Sequence, residues 1–146
     1  MSAPHIDHIG IIVADLDQAA AKLRPLFGEP VRIRDMPEVG LRVAEFQAAN
    51  VTIELLQYTA DNADFARRVM GDRVGLNHIS ARVGDVDRSI AELSAAGFAP
   101  MEGFPRQGAH GRVAFFEPDA LTGLLFEICQ PDVPAVPVPQ REGYES

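Results

Sequence analysis

His8-Ile9-Gly10-Ile11-Ile12-Val13-Ala14-Asp15-Leu16-Asp17 returns 70 residues later as His78-Ile79-Ser80-Ala81-Arg82-Val83-Gly84-Asp85-Val86-Asp87. Between 8–23 and 78–93, seven of sixteen positions are identical. The register continues: Pro30 falls on Pro100, and Arg42-Val43-Ala44-Glu45-Phe46 on Arg112-Val113-Ala114-Phe115-Phe116. Three extra residues in the second copy then align Ile53-Glu54-Leu55-Leu56-Gln57 with Phe126-Glu127-Ile128-Cys129-Gln130. An ordered series of matches at one offset means two copies of one structural unit.

Each copy reads as a strand, a helix, then more strands. The β-branched run 6–13 suits a short strand. Asp15 or Asp17 can cap the helix that follows, with Ala19, Leu23 and Phe27 at helical spacing. Gly28 and Gly97 end the two helices. Residues 41–48 and 51–57 alternate as a hairpin, as do 111–116 and 123–130. Asn62 to Met70 reads as a linker helix. Four prolines after residue 130 predict an extended tail over 131–146. The expected organisation is one domain over 1–146. Its parts are a first module at about 5–58, the linker helix at about 62–70, a second module at about 76–130, and the tail.

Strand side chains alternate between faces. Ile9, Ile11 and Val13 can pack on a helix while His8, Gly10 and Ile12 face away. Ile79, Ala81 and Val83 repeat the first set, and His78, Ser80 and Arg82 the second. Glu54 and Glu127 also point off the helix-covered face, so two sheets side by side would gather His8, Glu54, His78 and Glu127. Two imidazoles and two carboxylates form a suitable shell for a divalent transition metal: Co, Ni, Mn or Zn. In an octahedral site they would leave two positions open for water or substrate.

The chain has 146 residues, 47% hydrophobic and 23% charged, with 13 Lys+Arg against 21 Asp+Glu and a net charge of −8. This composition fits a folded globular domain. The acidic balance disfavours nucleic acid and anionic membrane surfaces as partners. Cys129 is the single cysteine, which excludes an internal disulfide and points to a reducing compartment. The N-terminus lacks a basic n-region, and no window approaches the ~20 apolar residues of a membrane span, so the expectation is a cytoplasmic protein.

The paired modules resemble the vicinal oxygen chelate superfamily, the glyoxalase and bleomycin-resistance fold, over about 5–130. The resemblance implies an α+β fold of two tandem βαβββ modules. They would form a cupped, partly open mixed β-sheet barrel with helices outside. It also implies metal ligation by His8, Glu54, His78 and Glu127. Within the superfamily, IDHIGIIVADLDQA, VTIELLQ, GLNHISARVGDVD and FPRQGAHGRVAFFEPDALTGLLFEICQ look like the methylmalonyl-CoA epimerase family. That likeness implies a metal-dependent epimerase acting through an enolate at the α-carbon of an acyl thioester, with Glu127 as one base. Some members carry a second catalytic glutamate in the strand at 41–45. A gap-free match from Gly40 puts Val43 there, and Glu45, two residues on along the same face, is the candidate second base. Arg82 is a candidate for the substrate carboxylate. The loop of Arg106, Gly108, Ala109, His110 and Gly111 is a candidate substrate contact, and His110, without a repeat partner, is not expected among the metal ligands. The loop Phe116-Glu117-Pro118-Asp119-Ala120 departs from the family by being acidic where a Lys is usual. Symmetric dimers are common in the superfamily, and a homodimer is expected here. Two other functions fit this scaffold: a glyoxalase-type lactoylglutathione lyase, and a bleomycin-resistance-like protein that binds a small molecule without chemistry.

Overall fold

The structure is a computed structural model that describes residues 3–59 and 62–132. The first module runs β1 (His5–Ile12), α1 (Leu16–Phe27), β2 (Arg32–Met36), β3 (Leu41–Gln47) and β4 (Thr52–Tyr58). A short helix α2 (Asp64–Met70) leads to β5 (Gly75–Arg82), α3 (Val86–Ala95), β6 (Arg106–Gln107), β7 (Gly111–Phe116) and β8 (Leu125–Pro131). The βαβββ pattern is complete in both copies. The linker helix begins two residues later than expected. The proline-rich tail beyond Asp132 lies outside the described residues.

All eight strands form one mixed sheet in the order β2-β3-β4-β1-β5-β8-β7-β6. β1 runs parallel to β4, as β5 does to β8, and the modules join where β1 and β5 pair antiparallel. The sheet curls into a half-barrel with α1 and α3 outside, the α+β glyoxalase-type architecture. No helix among the described residues is long and apolar enough to cross a membrane.

The repeat dictates how the helices begin. Asp15 and Asp85 each accept from the backbone N–H three residues on, Gln18 and Arg88. Gln57 Oε1 accepts from Leu16 N at 2.7 Å and Gln130 Oε1 from Val86 N at 3.0 Å. The matched glutamines therefore tie each module's last strand to a helix N-terminus, satisfying donors that the helix leaves unpaired. Outside the sheet, Leu16, Ala20, Ala44, Phe46, Ile53 and Leu55 form one core, and Val86, Ala114, Phe116 and Ile128 form its repeat. Ile9, Ile11 and Val13 pack into the first and Val83 into the second, on the faces assigned from alternation. With the apolar faces committed to the helices, the opposite faces line the concave side.

Candidate metal centre and cleft

His8, on β1, lies opposite Ser80 on β5 and beside Thr52 on β4. Glu54 neighbours Gly10 in the same sheet, and Glu127 neighbours Ser80. All of these side chains except Thr52 are buried, and the titratable ones meet at His8. Its Nε2 stands 3.1 Å from Glu54 Oε2, 3.0 Å from Glu127 Oε1 and 3.4 Å from His78 Nε2. The ligand atoms of His8, His78 and Glu127 lie within 4.8 Å of one another. Those of His8, Glu54 and His110 form a second such group. Glu54, His78 and Glu127 thus surround the His8 imidazole as expected, and His110, which was not expected among the ligands, completes the second of two triads that share His8.

The repeat extends to the residues that aim the imidazoles. Asp7 Oδ2 accepts from His8 Nδ1 at 2.8 Å, and Asn77 Oδ1 accepts from His78 Nδ1 at 2.8 Å. With Nδ1 donating, each Nε2 is aimed inward, the usual arrangement behind a metal-ligating histidine. Arg82 donates from Nε and Nη2 to Asp7 Oδ1 at 3.1 and 3.0 Å, so its guanidinium braces the carboxylate that orients His8.

The donor set fits a divalent cation. Burial works against a charged His8, yet the Glu54 and Glu127 carboxylates and the bond to Asp7 raise its pKa well above the usual value. A field that holds a proton on a buried imidazole favours positive charge at that point. Glu127 Oε1 and Glu45 Oε1 are buried with only an imidazole facing each, His8 at 3.0 Å and His110 at 3.4 Å, and Ser80 Oγ is buried without a hydrogen bond. Buried carboxylate oxygens are costly, and a cation compensates them. Burial also drives the His78 pKa down, which keeps that imidazole neutral as a ligand must be.

Glu45 faces Glu54 across the β3–β4 ladder and is buried. Burial and the neighbouring Glu54 raise its pKa despite the opposing charge of His110. His110 Nε2 donates to Glu54 Oε2 at 3.0 Å and stands 3.4 Å from Glu45 Oε1. This histidine comes from the β6–β7 loop at the far edge of the half-barrel, while Arg34 Nη1 on β2 donates to Ala109 O in that loop. Together these contacts bridge the barrel's open edge. The sequence carries no repeat partner for His110, so its approach to Glu54 has no signature there.

Two spaces meet at the cluster. One is a cavity of about 100 Å³ among His8, Glu54, His78, Glu127 and a set of apolar side chains from β3, β4 and α2. The other is a wider groove of about 810 Å³ at the mouth, where Arg32, Arg34, Arg82 and Arg106 gather beside Asp7, Glu38 and Asp132. Arg106 sits over the Phe65 ring at 4.2 Å, between the two spaces. Gly108, Ala109 and His110 border both. A Cβ on Gly111 would lie 2.0 Å from Gln130 O, so that position admits only glycine and fixes how the loop turns back. Cys129 is fully buried, and burial pushes its thiol pKa far up, which leaves it a packing residue.

Residues 7–116 match the sequence profile of the glyoxalase/bleomycin resistance protein/dioxygenase superfamily. The chain belongs to this superfamily. Among relatives, it is 33% identical over 129 residues to the ethylmalonyl-CoA/methylmalonyl-CoA epimerase of Cereibacter sphaeroides, covering 86% of this chain and 96% of that one. It is 30% identical to the uncharacterized protein YqjC of Bacillus subtilis, over 86% and 91% of the two chains. Among solved structures, a variant of Streptomyces coelicolor methylmalonyl-CoA epimerase in complex with 2-nitronate-propionyl-CoA superposes with a TM-score of 0.75. That match has 27% identity and covers 93% of this superfamily member and all of that chain.

Proposed function

We propose that this protein is a metal-dependent epimerase of α-branched malonyl thioesters, with methylmalonyl-CoA as the parent substrate. One observation carries the reading: two buried carboxylates, Glu45 on β3 and Glu127 on β8, come from opposite walls of the cup. Between them run β4, β1 and β5 with Glu54, His8 and His78. Inverting a carbon centre needs proton removal on one face and proton return on the other, which acids on opposing walls can perform.

His8, Glu54, His78 and Glu127 would hold a divalent cation, which when bound supplies Lewis acidity against the negative charge that builds on the thioester oxygen. Glu127, buried beside the His8 imidazole, is one proton carrier. Glu45 is the other. Its raised pKa suits an acid that stays protonated until it delivers its proton. Arg82, through Asp7, holds His8 in register. The arginines of the mouth favour the phosphates of a CoA carrier. Covered by the loop at 108–110, the inner space keeps water from the reacting carbon.

The test is α-proton exchange. Incubated in heavy water with Co(II), the protein should introduce deuterium at the α-carbon of both epimers of methylmalonyl-CoA, followed by NMR. Absence of exchange, with turnover of a glutathione hemithioacetal instead, would make it a lyase of the glyoxalase type. Absence of both reactions would favour a binding protein.

A further inference from the structure

The cleft has two chemically opposite ends, and the inner one says what the substrate carries. Leu41 and Val43 on β3, Leu56 on β4 and Met36 on β2 form its floor, and Ala66 and Val69 of α2 close it. These six side chains offer neither charge nor hydrogen bond. They adjoin the His8–Glu54 cluster directly, because Leu56 lies one pleat beyond Glu54 on the same face and pairs with Val43. Every arginine of the cleft except Arg106 sits outside, in the groove, and Arg106 stands at the boundary over Phe65.

A malonyl thioester bears three groups on its reacting carbon: a carboxylate, a thioester leading to a charged carrier, and the branch. The thioester oxygen faces the His8–Glu54–His78–Glu127 cluster, and the carboxylate and the charged carrier are served by cations and water toward the mouth. Only the branch can lie against the apolar wall without leaving a polar group unpaired. The inner cavity offers about 100 Å³ of room. That room is shared with the His8–Glu54–His78–Glu127 cluster on its polar side. A single ordered water needs roughly 10–15 Å³ on that measure, so with a cation and two substrate oxygens seated at the cluster, room for about four or five water-sized groups is left along the apolar wall, where a methyl would fill about one. We propose that this chamber is the specificity pocket of the enzyme and that it selects α-alkyl branches longer than ethyl, up to about four carbons, over methyl. The proposal rests on the epimerase reading for its chemistry, whereas the pocket's preference for an alkyl chain can be measured without turnover.

Two series decide it. In the first, methyl-, ethyl-, propyl- and butylmalonyl-CoA are compared by α-deuterium exchange in the Co(II)-loaded protein. Each methylene moved from water into an apolar site is worth about fourfold, so kcat/KM should rise about sixtyfold from methyl to butyl. In the second, the free methyl-, ethyl-, propyl- and butylmalonates are titrated calorimetrically, and affinity should rise by the same steps. A flat or falling series overturns the proposal. If no thioester exchanges at all, the epimerase reading fails, and the malonate affinities alone then decide whether the chamber selects alkyl chains. Val69→Phe, which fills the chamber from α2, should bring the butyl-to-methyl ratio below one. An unchanged ratio in a folded variant would contradict the assignment of that wall, and if the variant does not fold, the unsubstituted protein's two series stand alone.

Discussion

Gly10 and His78 face each other across the β1–β5 seam so closely that a Cβ on Gly10 would lie 2.2 Å from His78 Cε1. The imidazole lies over the bare backbone of the first module, its far side packed edge-on against Phe115 at 5.1 Å between ring centroids. The ring cannot yield easily, since Asn77 holds its Nδ1. Gly10→Ala should therefore displace His78 and lower metal affinity at least tenfold, at a stability cost of about 1–3 kcal/mol. Metal titration together with thermal melts checks both parts.

Asp7 stands behind His8 as Asn77 stands behind His78. Asp7→Asn keeps the shape, removes the charge and weakens the bond that orients the ring. The expected loss is about 10–100-fold in metal affinity with the fold retained, measured by competition with a chromophoric chelator.

Glu45→Gln should cut α-proton exchange by about 10²–10⁴-fold from one epimer while the other still exchanges through Glu127. NMR of each epimer separately gives the answer, and equal loss from both would place Glu45 outside proton transfer.

The same substitution has a stability signature in the metal-free protein. Burial and Glu54 raise the folded-state pKa of Glu45 above its unfolded value. Its favourable contribution is then complete below the unfolded carboxylate pKa and is lost as pH rises through the folded one. Gln cannot ionise. Glu45→Gln should therefore gain on the unsubstituted protein in melting temperature as pH goes from 4 to 7.

Much of this site is legible from a repeat of 70 residues. Alternation alone sends His8, His78, Glu54 and Glu127 to one face, because strand geometry leaves two choices and the helices claim one of them. The matched Gln57 and Gln130 likewise find one role at two helix starts. What breaks the repeat is not legible. His110 reaches Glu54 from a loop, and no periodicity says where a loop points. Arg32 and Arg34 lie on the edge strand β2, and only the curl of the sheet brings them to the mouth. Gly10 stands where the second copy has Ser80, and the need for its missing side chain appears only when His78 lies against it.

The arginines of the mouth should act on binding and little on chemistry. Replacing Arg106, whose described contact is the Phe65 ring, by Ala should raise KM for an acyl-CoA with kcat nearly unchanged, and flatten the dependence of KM on salt. Steady-state kinetics from low to high ionic strength would show it. A fall in kcat alone would argue that this residue acts in the chemical step.

The most direct measurement is of the cation itself. Co(II) titration of the purified chain, with X-ray absorption to read the ligands, should give one ion per chain bound by two imidazoles and carboxylate oxygens. His8→Ala, His78→Ala and Glu127→Ala should each abolish tight binding, and His110→Ala should leave the stoichiometry at one. Loss of the ion in His110→Ala with retention in His78→Ala, or no tight binding by the unsubstituted chain, would contradict a centre shared by the two modules.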